Sequence, residues 1–596
     1  MTQRNEHTDY EPDEPAATTD GDSPYWVGFA ACLVLAGMLW SLSLWLPYKP
    51  PFATGVHLWI EFSRLLLHDT LRGVAIVLVG VAVSLVVFRR LAWLDRLLWR
   101  TNQRWFLLIT SIIGFGLNAW FSYYALDHMP HIGDEVAMHF QAKNLALGQF
   151  YAKAPPEELT PFFDHEWIVH HKGRWFGRFF VGPSLVLVPG IWLGVPWLMN
   201  PILGGITILI FYALGRELLN EKAGRIAVLL ALISPFRMGS FGWMMSHGGC
   251  ILLMSLFALY LIKAVRDPRR YRYWIIAAIA GGAAVHFRPI TVIAMSVPLG
   301  LVGAWRCRWR QVSVLSVLAF VLPLGCFAAL FLGYNYAVTG DMMRTPFELW
   351  GQNEQLGFGP DKGLDYWPSH MGRGHTPAKG LDFINMNLDA MGVSLLGWGR
   401  GTLLLMVAAL CLRWRRANFL LAVATIFSLA FIYFFYYSAS VIYDMPRYWS
   451  ESMAFMFLLA VGGLTSLRLV VGWSLRLFGV SDSGRRTRAG LWIAAVGLLV
   501  IGAGQIWPEF LAFHGNKILV DPTVRETLAR QPLTNALVVI PSTWFREVYL
   551  MDKSMSGFML NSPNLDGDVV FARDRGDEAN VILHAHFPDR TLYRFV

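Results

Sequence analysis

Charge is scarce in this chain: Asp, Glu, Lys and Arg together make up 15% of 596 residues, against 55% hydrophobic residues and a mean hydropathy of +0.43. A soluble domain carries about a quarter charged residues. The shortage therefore excludes a soluble globular protein and leaves a polytopic membrane protein. Cysteine is scarce as well. The 5 residues Cys32, Cys250, Cys307, Cys326 and Cys411 lie in or beside apolar runs without CxxC spacing, which excludes a zinc ribbon and a disulfide scaffold. Internal repeats and low-complexity runs are not evident. No A-x-A-like cleavage site follows the first apolar run, Trp26–Leu46, so the run is expected to stay as an anchor. The net charge of +9 could suggest nucleic acid, but the Arg and Lys residues fall in short clusters between apolar runs, where the positive-inside rule accounts for them. No nucleic-acid partner is expected.

The chain is expected to divide into a disordered cytoplasmic tail, 1–24, a membrane part, 25–506, and a small extracytoplasmic unit, 507–596. The runs 26–46, 71–88, 105–126, 201–214, 226–236, 250–262, 273–284, 290–305, 312–332, 399–412, 418–437, 453–467 and 491–506 read as about 13 crossings. Basic clusters check the alternation. Arg89 to Arg104, Arg216 to Arg225, Lys263 to Arg272, Arg306 to Arg310, Arg413 to Arg416 and Arg468 to Arg488 all fall on the expected cytoplasmic side. The loops 128–180 and 335–395 then lie outside, and Pro183–Leu198, broken by prolines and glycines, reads as a surface or re-entrant helix. In the tail, Ala536–Ile540, Val569–Ala572 and Val581–Ala585 alternate like strands of a small α/β or α+β domain.

His131-Ile132-Gly133-Asp134-Glu135 follows directly on an apolar run. Two adjacent carboxylates where a chain leaves the bilayer are costly unless water, a cation or a substrate meets them. The alternative is an acidic helix start capped by Gly133 and Asp134. Arg447, flanked by Tyr443 and Tyr448, sits in a short outer turn where the positive-inside rule gives it no reason to be. Arg288 precedes Pro289 at another outer end, where it could hold a phosphate or snorkel. His247, after Met245-Ser246, could face a substrate or be satisfied by backbone. Arg344 and His375, in the second large loop, are open either way. A carboxylate beside an acceptor hydroxyl can take its proton, and cations from other loops can hold a phosphate leaving group. The mixed group Asp164, His165, Glu166, His170 and His171 lacks tight metal spacing and reads as solvated loop.

These stretches resemble the C-type (GT-C) integral-membrane glycosyltransferases that use polyprenyl-phosphate sugars, in the branch of protein O-mannosyltransferases and lipid A aminoarabinose transferases. The likeness runs over about 105–470. It is carried by Gly133-Asp134-Glu135, Gln141 to Tyr151, Gly182-Pro183-Ser184, Gly215-Arg216-Glu217-Leu218, Ser234-Pro235-Phe236, Met245-Ser246-His247, Arg288-Pro289, Tyr334 to Asp341, and Pro446-Arg447-Tyr448 before Glu451. The resemblance implies an all-α GT-C fold and an inverting transfer to a lipid, glycan or protein acceptor. It makes Asp134 the base and Glu135 an adjacent acid that orients the acceptor or a metal. Where relatives carry Lys/Arg-x-Pro-Pro-Gly, this chain has Gly177-Arg178-Phe179-Phe180-Val181-Gly182-Pro183, which leaves Arg178 as the candidate cation. Arg178, Arg288 and Arg447 are then the expected phosphate ligands, and His247, Arg344, His375, Tyr443 and Tyr448 the expected substrate contacts. The sequence singles out no cofactor and leaves a divalent metal open. The expected location is a bacterial inner or plasma membrane. A transporter or flippase of lipid-linked sugars would keep polar groups near the midplane of several spans. Here they gather at outer ends. A polysaccharide polymerase or ligase stays as a further alternative.

Overall fold

The computed structural model describes residues 23–46, 55–87, 99–165, 167–363, 374–413, 417–442, 445–477, 480, 483–515, 520, 522–541 and 553–595. The expected tail 1–24 falls almost wholly outside the described residues, as do Arg89, Arg90, Arg96, Glu166 and Tyr443. Ten described helices are long and apolar enough to cross a membrane, or eleven if the pair Glu221–Leu232 and Pro235–Gly242, bent by 68°, forms one span.

The expectation of about 13 crossings is corrected at three places. The run 226–236 straddles the bend, where the Ser234 side chain accepts from the Arg237 N–H and Pro235 opens a new helix. The run 273–284 is the 15-residue helix Tyr271–Val285, and the run 399–412 is the 13-residue helix Gly401–Arg413. At 1.5 Å per residue, such helices reach roughly 20 Å, short of a hydrocarbon core about 30 Å thick. Two elements are longer than expected. Val56–Val87 runs 32 residues, and Ser483–Gly515 runs 33, across the expected boundary at 507.

Most spans bury a face in one large hydrophobic core, while Val81, Leu85 and Leu475 form a separate small cluster against Phe29 and Cys32. Two close approaches in the large core set the later geometry. The Phe287 ring lies where a side chain on either Gly182 or Gly249 would sit, and the Gly182 N–H donates to the His286 carbonyl. Helix Val181–Leu193, helix Ser246–Arg266 and the turn before Arg288 are thereby locked together. Gly239 likewise leaves room for Met445, which brings the turn before Arg447 against Pro235–Gly242.

The described residues of 128–180 form regular structure. They hold the helix Gly133–Ala146 and an antiparallel sheet of Ala152–Lys153, Ile168–His171 and Arg174–Gly177, with the last strand in the middle. Lys172 and Gly173 close its hairpin with φ of 50° and 75°, the two positive values that a tight hairpin turn demands. In the C-terminal unit, Ala536–Pro541 pairs in parallel with Val569–Asp574 on one side and Thr591–Arg594 on the other. Parallel pairing with intervening helices makes it α/β. The strand expected at 581–585 is instead part of the helix Asp577–Ala585. Asp577 and Glu578 occupy its first turn, and Asn580 and Leu583 are buried three apart on one face, so the helical period outweighs the alternation.

Candidate active site

Asp134 and Glu135 open the helix Gly133–Ala146 but face different surroundings. Glu135 is 1% exposed. One of its oxygens accepts from the N–H of His131 at 2.8 Å and of Ile132 at 3.4 Å, while the other accepts from the N–H of Met244 at 2.7 Å. It caps its own helix and ties it to the segment after Pro235–Gly242. Burial pushes the carboxyl up to about 7, against the pull of these backbone donors. The reading of Glu135 as a catalytic or acceptor-orienting acid is corrected: both of its oxygens accept from backbone N–H groups, and its side chain is buried away from the opening that Asp134 faces. Because Glu135 does the capping, Asp134 is released from it. The Asp134 side chain is 20% exposed, and its Oδ2 lies 3.7 Å from Nη1 of Arg447.

Arg447 starts the short 3-10 helix Arg447–Ser452. Its Nε donates to Oγ of Ser440 at 3.0 Å, and Nη1 approaches Sδ of Met245 at 3.5 Å. One turn on, Glu451 is fully buried, and its Oε1 lies 3.1 Å from Nδ1 of His247 and 3.2 Å from Nε of Arg288. Arg288, the residue before the helix Pro289–Arg306, also donates to the Tyr433 hydroxyl at 3.1 Å and lies 5.0 Å over the ring of Tyr448. Tyr433 and Tyr448 stack at 4.4 Å. Arg288 thus turns inward to a carboxylate and a phenol, and snorkelling does not describe it. His247 is held by Ser450 as well, at 3.0 Å, so its partners are side chains, not the backbone of its helix start.

The structure brings Asp134, His247, Arg288, Arg447 and Tyr448 into one cluster and adds two residues that sequence reading did not single out, Glu451 and Tyr433. The signal for Glu451 was present. A carboxylate heading the very apolar run Met453–Ala460 is an intramembrane ionisable residue, a functional candidate on that ground alone. The pairs Asp134 with Arg447 and Glu451 with Arg288 balance each other's charge. A carboxylate, two guanidiniums and an aromatic wall offer a base, an anion site and a stacking surface in one place.

Three expectations are not met. Arg178 is buried, ion-paired with the buried Glu354, and enclosed by the rings of Phe347, Trp350 and Trp167 at 4.0, 4.2 and 4.3 Å. Sealed by these rings, with its side chain 3% exposed, it has no open face to offer a phosphate, which corrects that assignment. His375 is buried, with Nε2 2.9 Å from the Phe434 carbonyl and its ring stacked on Phe383. It fastens the second loop to the span Ala417–Phe434 and does not meet the cluster. Arg344 lies beside His171, where burial, then Lys172 and Arg344, hold the imidazole below its ordinary value. Tyr443, expected as a substrate contact, falls outside the described residues. Among the described residues, no three His, Cys, Asp or Glu side chains converge as metal ligands. In the mixed group, His165 packs on Phe558 at 4.2 Å and meets Arg573, while Glu166 falls outside the described residues.

Comparisons with known proteins bear on this arrangement. No curated protein matches the chain by sequence. Among solved structures, ArnT from Cupriavidus metallidurans bound to undecaprenyl phosphate is similar at 12% identity and a TM-score of 0.45, over 81% of this chain and 89% of that one. AglB, an oligosaccharyltransferase from Archaeoglobus fulgidus in complex with an inhibitory peptide and a dolichol-phosphate, is similar at 14% and 0.43, over 78% and 63%. Residues 557–596 match a family described only as a domain of unknown function, DUF7846. Residues 196–331, which contain Ser234-Pro235-Phe236, His247 and Arg288-Pro289, match the dolichyl-phosphate-mannose-protein mannosyltransferase family, and the resemblance to polyprenyl-phosphate-dependent membrane glycosyltransferases holds there.

Proposed function

We propose that this chain is a membrane glycosyltransferase that moves a sugar from a polyprenyl-phosphate donor to a lipid, glycan or protein acceptor. The observation that carries the reading is the meeting of Asp134 and Arg447 at 3.7 Å, contributed by the first large loop and by the turn before the span that ends at Leu477. One is a base that an acceptor can reach; the other is a cation beside it. The class of donor is supported by the family that 196–331 matches.

In this reading the acceptor oxygen attacks the anomeric carbon as the bond from that carbon to the phosphate oxygen breaks. Asp134 takes the acceptor proton, and the bonding pair leaves with the phosphate, whose charge Arg447 and Arg288 receive. Attack opposite the leaving group inverts the anomeric centre. Tyr448 and Tyr433 wall the site, and His247 and Glu451 hold Arg288 in place.

The membrane part, 25–506, is proposed as the catalytic unit, with the cluster facing the extracytoplasmic side. The clusters Lys263, Arg266, Arg269, Arg270 and Arg272, and Arg306, Arg308 and Arg310, lie at the opposite helix ends, where the positive-inside rule puts the cytoplasm. On that basis the N-terminus is cytoplasmic and 507–596 extracytoplasmic, in a bacterial inner or plasma membrane. Purified protein incubated with a panel of radiolabelled polyprenyl-phosphate sugars and an extract of envelope acceptors is expected to move label from one of them. Release of label from none of the donors would overturn the proposal.

A further inference from the structure

The helix that begins with Asp134 is held from two sides. On the membrane side, Glu135 is bound to Met244, and the Ser184 hydroxyl donates to the Met138 carbonyl at 3.0 Å. On the other side, Val136, Ala137 and Phe140 share one hydrophobic core with Leu537, Val539, Met555, Phe558, Val570 and Ala572 of the C-terminal unit. The Phe558 ring sits 5.5 Å from Phe140 and 5.7 Å from Trp175. The strongest polar tie is Lys143. Its ammonium, two and a half turns along from Asp134, donates to the carbonyls of Met559 at 2.7 Å and Asn561 at 2.9 Å.

Those carbonyls are presented rigidly. Asn561 exchanges two hydrogen bonds of 2.8 Å with the backbone of Phe571 in the strand Val569–Asp574. A continuous path therefore runs from the sheet through Asn561 and Lys143 to the helix and its first turn. Arg575 and Arg525 add donors to the Pro161 and Asp127 carbonyls at 2.8 and 3.2 Å. Lys143 is half-buried with its charge answered by these two carbonyls, and burial draws it down to about 8.

The geometry points to a role for the segment of unknown function, 557–596: it clamps the helix Gly133–Ala146 through Lys143 and so fixes the Asp134 carboxylate opposite Arg447. Lys143 is a positioning residue, and the inference rests on the reading of Asp134 as the base. Displacing a reacting group by about 1 Å costs on the order of 10²-fold in rate. In the full-length protein, Lys143→Met is expected to lower kcat by about tenfold or more, with the donor KM within about twofold of wild type. Lys143→Arg, which can serve both carbonyls, is expected to restore most of the rate. In an Asp134→Asn background, Lys143→Met should add no further loss, because the group it positions is already gone.

A wild-type kcat in Lys143→Met, or a loss that multiplies with that of Asp134→Asn, would overturn the inference. Should Lys143→Met fail to accumulate, Lys143→Gln, which keeps a donor for one carbonyl, is read in the same way. Full activity in Asp134→Asn alone would instead sink the base assignment, and the two failures are told apart by the single variants.

Discussion

Asp134 and Glu135 are neighbours in sequence, and replacing them one at a time separates chemistry from architecture. Asp134→Asn removes a carboxylate that caps nothing. Its contact with Arg447 is 3.7 Å long, between side chains 10% and 20% exposed, and the amide of Asn still offers the guanidinium an acceptor, so the loss of charge costs about 1–3 kcal/mol. The variant should still fold and bind donor, yet lose about 10²–10⁴-fold in turnover, the usual contribution of a general base. Glu135→Ala should do the reverse. Three buried N–H groups lose their acceptor, at about 1–3 kcal/mol each.

Glu135 also gives a pH signature. Its folded carboxyl at about 7 lies above the ordinary carboxylate value, so the folded state binds the proton more tightly than the unfolded one. The stability it contributes is fully present below about 4.3 and is lost as pH rises through about 7, on the order of 3 kcal/mol in all. Glu135→Gln should flatten that slope. Thermal unfolding in detergent between pH 4 and 8, followed by tryptophan fluorescence, reads the stability arm, and transfer of radiolabelled sugar reads the other. An Asp134→Asn protein with near-normal turnover would return Asp134 to a structural role. A Glu135→Ala protein as stable as wild type would refute the account of the helix start.

Arg288→Lys and Arg447→Lys should each lower turnover by about tenfold or more, because a point charge cannot replace the guanidinium fork; full activity in both would remove the phosphate assignment. Arg178→Met should cost about 3–5 kcal/mol by leaving Glu354 buried and unpaired, and Arg178→Met with Glu354→Leu should recover most of the lost unfolding temperature; equal losses in the single and double variants would argue against a matched pair. Single cysteines placed after 24 and at 310 in an otherwise cysteine-free chain should react only with permeant reagents, and those near 160, 365 and 596 with impermeant ones. A protected site near 596 would overturn the proposed orientation.

Much of the fold was legible because bilayer physics writes it plainly. Long apolar runs alternating with basic clusters mark the ten long helices, and the strands at 536–541 and 569–574 carry short continuous apolar runs, buried on both faces as parallel strands are. The site was legible in part, since Asp134, Arg288 and Arg447 are charges at span ends with no topological excuse. What sequence could not separate was like from like. Asp134 and Glu135 differ by about 100° of helical rotation, which sends one to Arg447 and the other to Met244. Arg178 and Arg447 both stand in aromatic surroundings, but a carboxylate 176 positions away, Glu354, takes the first. Only the tertiary structure contains that fact. Glu451 heads an apolar run, where a single acid reads as a helix start, and only the fold shows it meeting His247 and Arg288.

The feature that inflated the count of crossings also builds the site. Uninterrupted spans satisfy all their backbone groups internally and offer a substrate nothing but side chains in hydrocarbon. Interrupted ones end, and each end places polar groups at a defined depth. The bend at Ser234-Pro235 and the break after Gly242 supply the Met244 N–H that holds Glu135. The break at Arg288-Pro289 points Arg288 at Glu451, and the 3-10 turn Arg447–Ser452 puts Arg447 and Glu451 on one short segment. Two arginines and two carboxylates at such ends can be buried together because each cation has an anion beside it. In the proposed reaction an incoming phosphate would compete for Arg447 with Asp134, whose contact of 3.7 Å is the longer of the two pairs, and would leave the Asp134 carboxylate less engaged by Arg447, the condition a general base needs.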